Sequence, residues 1–274
     1  MLPLQLAALA LVVFYVAFRI IDQPEPRQFL ARFALVSVAC WMAEESCILL
    51  YRFYSYSPSW SLFLDKVPLL IIFIWPVIIH SAWDLASQLL RPGHKFVPLA
   101  ASAIVCTDAA LLEPVAVNAG LWSWTEPGIF HVPPIGILGW GYFAFCCILM
   151  LHWAMRPNPS KGWTLLFLLA AVVGTHLLLL TSWWGALRWV SGFESNIFAA
   201  GIVWALSLAL VYAILRRGTG RRVRRKAFLL RLPAAVFVFL LLALNAGGSG
   251  LLVVYALAFV PPYLTMMAQQ YRTL

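Results

Sequence analysis

One arrangement of acid and aromatic residues occurs twice. Glu45 is followed by Tyr54, Tyr56, Val67-Pro68 and Trp75, and Glu113 by Trp122, Trp124, Val132-Pro133 and Trp140. The internal spacings agree, apart from three residues missing between the aromatic pair and Val-Pro in the second copy. A protonated carboxyl with no water beside it is a proton donor. It can act on weak bases, alkenes and epoxides among them, if the cation that forms is stabilised. Aromatic ring faces attract cations, indole most strongly. Glu113 and Asp108 are therefore candidates for the donor and its partner, with Glu45 as a second acid. Trp122, Trp124, Trp140 and Trp75 would line the cation, and Tyr54 and Tyr56 would shape the wall. His131, directly before Val132-Pro133, is placed to relay a proton or to sit in a solvated loop. Asp108 lies about a turn and a half from Glu113 and about 140° round a helix. A kink at Pro114 would be needed to bring the two together.

The elements that position these groups must be membrane helices. The chain has 274 residues, of which 63% are hydrophobic and only 11% charged, a balance that soluble domains do not reach. Apolar runs of spanning length cover about 2–20, 29–50, 67–90, 96–117, 133–155, 163–187 and 196–215. A last stretch, 232–268, is interrupted by Asn245-Ala-Gly-Gly-Ser-Gly250 and is either one broken helix or two. The expected fold is all-α: a polytopic integral membrane protein of about eight helices, seven to nine, forming one transmembrane domain over 1–274. An internal parallel repeat covers roughly 40–150, with copies at about 40–85 and 105–150, related by an axis along the membrane normal. Segment 160–274 adds further helices. Each Pro opens the helix after its loop, so each Trp lies two turns inside it. Each Glu lies at the end of the helix before.

Of the 19 Lys and Arg, fifteen fall in loops on one side if these segments alternate, eight of them in the cluster 216–231. The opposite loops hold Arg52, Lys66 and Arg188. That bias predicts an outer N-terminus, outer acid-aromatic loops and a cytoplasmic 216–231 loop. The net charge of +9 then reads as topology and attraction to anionic lipid, not as nucleic-acid binding. Five cysteines without CxxC spacing read as buried thiols. No HxxxH or HxxHH cluster is present to hold a di-iron centre, no DDxxD to hold a metal diphosphate, and no P-loop. Neither a metal nor another cofactor is expected.

Asp108, Glu113-Pro114, Trp122-Ser-Trp124, Val132-Pro133 and Gly139-Trp140 resemble the core signature of the membrane carotenoid-biosynthesis proteins of the carotenoid 1,2-hydratase type. That type includes bisanhydrobacterioruberin hydratase and γ-carotene 1′-hydratase. The first copy resembles the upstream part of the same family. The resemblance implies cofactor-free addition of water to a terminal double bond of a hydrophobic carotenoid or other isoprenoid, in a bacterial or archaeal plasma membrane. One position departs: Gly136-Ile137 stand where the family has Asn-Phe. If that Asn orients the water, loss of a proton instead of water capture would make the protein a carotenoid or terpene cyclase, or an isomerase. A non-enzymatic isoprenoid or lipid transporter or scaffold is the further alternative. The oligomeric state is not readable from the chain.

Overall fold

The computed structural model describes residues 1–91, 93–153, 161–217, 223–245, 247 and 249–271. Among these, nine helices are long and apolar enough to cross a membrane. The protein is thus an all-α polytopic membrane protein. The stretch left open as one helix or two is two spans, Arg225–Asn245 and Gly250–Gln269. Of the predicted basic cluster, 218–222 lie outside the described residues, as do 246 and 248 of the glycine-rich break.

Proline marks several helix starts, where its missing N–H leaves no bond unmade. It stands in the first turn of α1 (Leu2–Asp22), α2 (Pro26–Tyr51) and α4 (Val97–Asn118), and α5 begins at Pro134 (Pro134–Trp153). Before α3 (Leu69–Leu90), Pro68 occupies the cap position. Helix α6 (Lys161–Ser182) runs on through irregular turns to Gly192, and α7 (Asn196–Arg217) follows. The remaining helices are α8 (Arg225–Leu229), α9 (Leu232–Asn245), α10 (Gly250–Leu257) and α11 (Val260–Tyr271).

Helices α2 to α6 form a ring, each packed on the next and α6 back on α2. Helix α1 lies against α2 and α3, α7 packs on α10 and α11, and α9 leans on α4 and α1. The ring closes tightly because small residues let backbones approach: a Cβ on Gly141 of α5 would stand 2.2 Å from Cys106 Sγ of α4. The outward faces carry Leu, Ile and Phe, such as Leu6, Leu49, Leu166, Ile197 and Leu206. That is the surface a bilayer requires of a spanning protein.

Two short strands close one end of the ring. β1 (Tyr54–Tyr56) follows α2, and its antiparallel partner Trp122–Trp124 follows α4. The register puts Tyr54 opposite Trp124, Ser55 opposite Ser123 and Tyr56 opposite Trp122. Side chains alternate along a strand, so the four rings share one face and the two serines the other. Between β1 and α3, strands β2 (Phe63–Leu64) and β3 (Val67–Pro68) pair as a small hairpin; the strand Trp122–Trp124 is β4.

Two aspartates within the spans are ion-paired, which offsets the cost of burying their charge in lipid. Arg19 of α1 binds Asp84 of α3. Arg231, at the break between α8 and α9, binds Asp108 of α4. Pro114 lacks the N–H that would bond to the carbonyl of Ala110 one turn earlier. That carbonyl accepts instead from the Tyr255 hydroxyl of α10 at 2.9 Å.

Candidate functional site

Beneath the β1–β4 ribbon the ring encloses two carboxyl centres of the same design. Glu113, 2% exposed, accepts from the indole N–H groups of Trp122 at 2.8 Å and Trp124 at 2.9 Å on Oε2, and from Trp140 at 2.7 Å on Oε1. Glu44 accepts from the hydroxyls of Tyr54 and Tyr56, the latter at 2.8 Å, on Oε2, and from the Trp75 indole at 2.8 Å on Oε1. In each centre a strand supplies two donors to one oxygen and the seventh residue of the following helix supplies one to the other.

The rings of the two centres touch. Trp75 and Trp140 lie with centroids 4.4 Å apart, Tyr54 and Trp124 at 4.8 Å, and Tyr56 and Trp122 at 6.0 Å. Phe143 meets Trp75 edge-on at 5.0 Å. Burial, and next the nearby Glu44 carboxyl, push the Tyr54 and Tyr56 hydroxyls well above the ordinary phenol range. Both therefore stand as protonated donors.

A cavity of about 680 Å³ opens from this cage. Both carboxyls and all six ring partners line it, with Cys40, Cys47, Ile135 and Phe143 among the apolar neighbours. It continues along α9, whose residues from Leu232 to Leu241 form much of one wall, a length of roughly 14 Å at helical rise. Arg231, Asp108, Ser81 and Tyr263 line its far part. There Arg231 binds both Asp108 oxygens at 2.5 Å and donates to Ser81 Oγ at 2.9 Å, with Tyr263 at 3.4 Å.

Of the residues singled out from sequence, Glu113, Trp122, Trp124, Trp140, Trp75, Tyr54 and Tyr56 are brought together. Three are not. Asp108 shares the cavity, but its partner is Arg231 and not Glu113, because the two acids point to different sides of α4. Glu45 lies outside the aromatic cage. Its Oε2 accepts from the Lys66 backbone N–H at 3.1 Å and so steadies the β2–β3 hairpin. His131 is exposed; with Phe130 it makes a tight turn of positive φ across the Ile129–Val132 bridge, and it does not reach the cavity lining.

Sequence reasoning missed Glu44. Counting from the first aromatic selects Glu45, yet copy one carries one extra residue between acid and strand, and a step of one residue turns a helix by about 100°. The available sign was the spacing Cys40, Ala43, Glu44, Cys47, one helical face that lines the cavity.

Gly136 of α5 shapes the cage. A Cβ there would stand 2.6 Å from the Trp124 ring. Gly136→Ala is expected to push Trp124 off Glu113 and destabilise the fold by about 1–3 kcal/mol, as overpacking does. Thermal unfolding in detergent and tryptophan near-UV dichroism would check this; an unchanged indole signal would count against it.

Among the described residues, no three His, Cys, Asp or Glu side chains are grouped to hold a metal ion. Residues 2–207 match the family model described as carotenoid biosynthesis protein. This is most of the chain, which therefore belongs to that family. Comparison with curated proteins and with solved structures returns no match.

Proposed function

We propose that this member of the carotenoid biosynthesis family adds water to a terminal double bond of a carotenoid or other long isoprenoid, by protonating the alkene and capturing the tertiary cation. The observation that carries this reading is the pair of carboxyls, each ringed by three aromatic donors, at the head of an apolar cavity. A hydrocarbon chain fits such a wall. The carboxyls offer acid and base without a cofactor, and the π faces of Trp75, Trp122, Trp124 and Trp140 offer the attraction a cation needs. Glu113 is buried among these rings, so a carboxyl there acts on the alkene with little competition from bulk solvent.

The distribution of Lys and Arg supports placing the ribbon end at the outer face, with the N-terminus outside and the 216–231 segment cytoplasmic.

A cyclase is the second reading, favoured by one contact. Trp124 fills the space beside Gly136, the position where the resembled hydratases carry Asn, so no amide there can orient water. A second double bond of the chain would then attack the cation, closing a ring, and the ring cation would lose a proton to a carboxylate. Expression in a bacterium that accumulates lycopene, with mass analysis of the pigments, separates the two. The mass of one or two waters gained marks a hydratase, and an isomer of unchanged mass with a shortened chromophore marks a cyclase. Unaltered lycopene beside membrane-inserted protein would reject both reactions on that substrate.

A further inference from the structure

The two carboxyl centres share a geometry but not a chemistry. All three groups around Glu113 are indoles, and an indole N–H donates but never accepts. Two of the three around Glu44 are phenols, and a phenol hydroxyl does both. A carboxylate offers about four lone-pair sites. Three are taken in each centre, leaving one for a group in the cavity that both acids line.

We infer that Glu44, recharged through Tyr54 and Tyr56, is the proton donor to the isoprenoid, and that Glu113 is the carboxylate that faces the cation and takes the proton of the incoming water. This division of labour rests on the proposed alkene protonation. The Glu44 O–H bond breaks as the π pair forms a C–H bond at the CH carbon of the terminal double bond, leaving a tertiary cation at its dimethyl carbon and a Glu44 carboxylate that its phenol and indole donors stabilise. Water forms the C–O bond with its lone pair, and its released proton goes to Glu113. The sum is alkene plus water giving a tertiary alcohol, with one proton to be moved from Glu113 back to Glu44.

The phenols stand where that return requires them. Each donates to Glu44 and, with both carboxyls, lines the cavity, so a cavity water that takes the proton of Glu113 can hand one on to a phenol hydroxyl. A hydroxyl passes a proton by accepting one as it gives up its own, so no phenolate forms. That is the mode open to phenols whose ionisation is suppressed by burial. Indoles cannot do this, so a proton on Glu113 leaves only through its fourth site, into the cavity. The cation-stabilising faces cluster on the Glu113 side and the relay on the Glu44 side.

Deuterium separates the roles. Membranes carrying the protein and its isoprenoid are equilibrated in D₂O, and label is measured in recovered polyene and in product. Wild type incorporates deuterium into both. Glu44→Gln is expected to lose incorporation and product together. Glu113→Gln is expected to keep incorporation into recovered or isomerised polyene while product falls. The Tyr54→Phe/Tyr56→Phe protein keeps the cage's shape, which guards against misfolding of the Glu44 variant. It is expected to label the polyene about 10²-fold more slowly, the loss typical of a removed proton-transfer group, and a rate equal to wild type would overturn the relay. Loss of label in Glu113→Gln with retention in Glu44→Gln would overturn the assignment, as would equal loss in both. Product formed by wild type without any label would instead remove the alkene protonation on which the assignment rests.

Discussion

Glu113→Gln is expected to insert and fold but to form about 10²–10⁴-fold less product, the range spanned when a positioned acid or base is removed. The substitution keeps length and shape and removes the charge and the exchangeable site. It also disturbs the cage in a defined way. Three indoles donate to two oxygens of Glu113, whereas Gln offers one oxygen and an NH₂. Whichever way the amide turns, at least one indole N–H faces another donor. Leaving one buried donor unmet costs about 1–3 kcal/mol, a fraction of the roughly 5–15 kcal/mol that holds a typical domain together. The loss of product should thus far exceed the loss of stability. Pigment mass analysis beside thermal unfolding of the purified protein measures both. Full turnover in this variant would remove Glu113 from the chemistry.

Spanning helices were legible because lipid imposes a simple rule on them: about twenty apolar residues, closed by proline or polar residues. The last span resisted because its break is made of glycine and serine, which suit a kink as well as a loop, and only the packing of α10 and α11 on α7 decides between them. The second acid centre was legible in all its aromatic members, since the strand register fixes Tyr54 and Tyr56 and the helix start fixes Trp75. Its acid was not, because one added residue near the end of α2 changes which carboxyl faces inward without changing the composition of the motif. In the sequence Arg231 is one of a basic cluster that sets topology. Its role in the cavity wall depends on the return of α9 across the ring, a long-range contact with no local trace.

That contact gives the largest expected effect on stability. Asp108→Leu or Arg231→Leu alone should destabilise the protein by about 3–5 kcal/mol, because removing one partner strands the other charge in a low-dielectric wall. The joint Asp108→Leu/Arg231→Leu protein should recover most of the loss, since an apolar pair of similar bulk strands nothing. Thermal unfolding of the four proteins in detergent closes the cycle, and losses that merely add would show the two residues uncoupled. The pair matters beyond its own energy. Helix α9 buries few of its side chains, Leu241 and Leu242 among them, so packing alone holds it weakly. Arg231 stands just before its first residue and reaches α4 through Asp108 and α3 through Ser81. The ion pair therefore sets where α9 stands, and α9 is much of the cavity wall. In the proposed enzyme the single variants should also lose affinity for the isoprenoid, while the joint variant, in which the two leucines pack on each other in place of the ion pair and hold α9 to α4, should regain it. Affinity that stayed lost in the joint variant would mean that the charges themselves contact the substrate, and that the far part of the cavity receives a polar group.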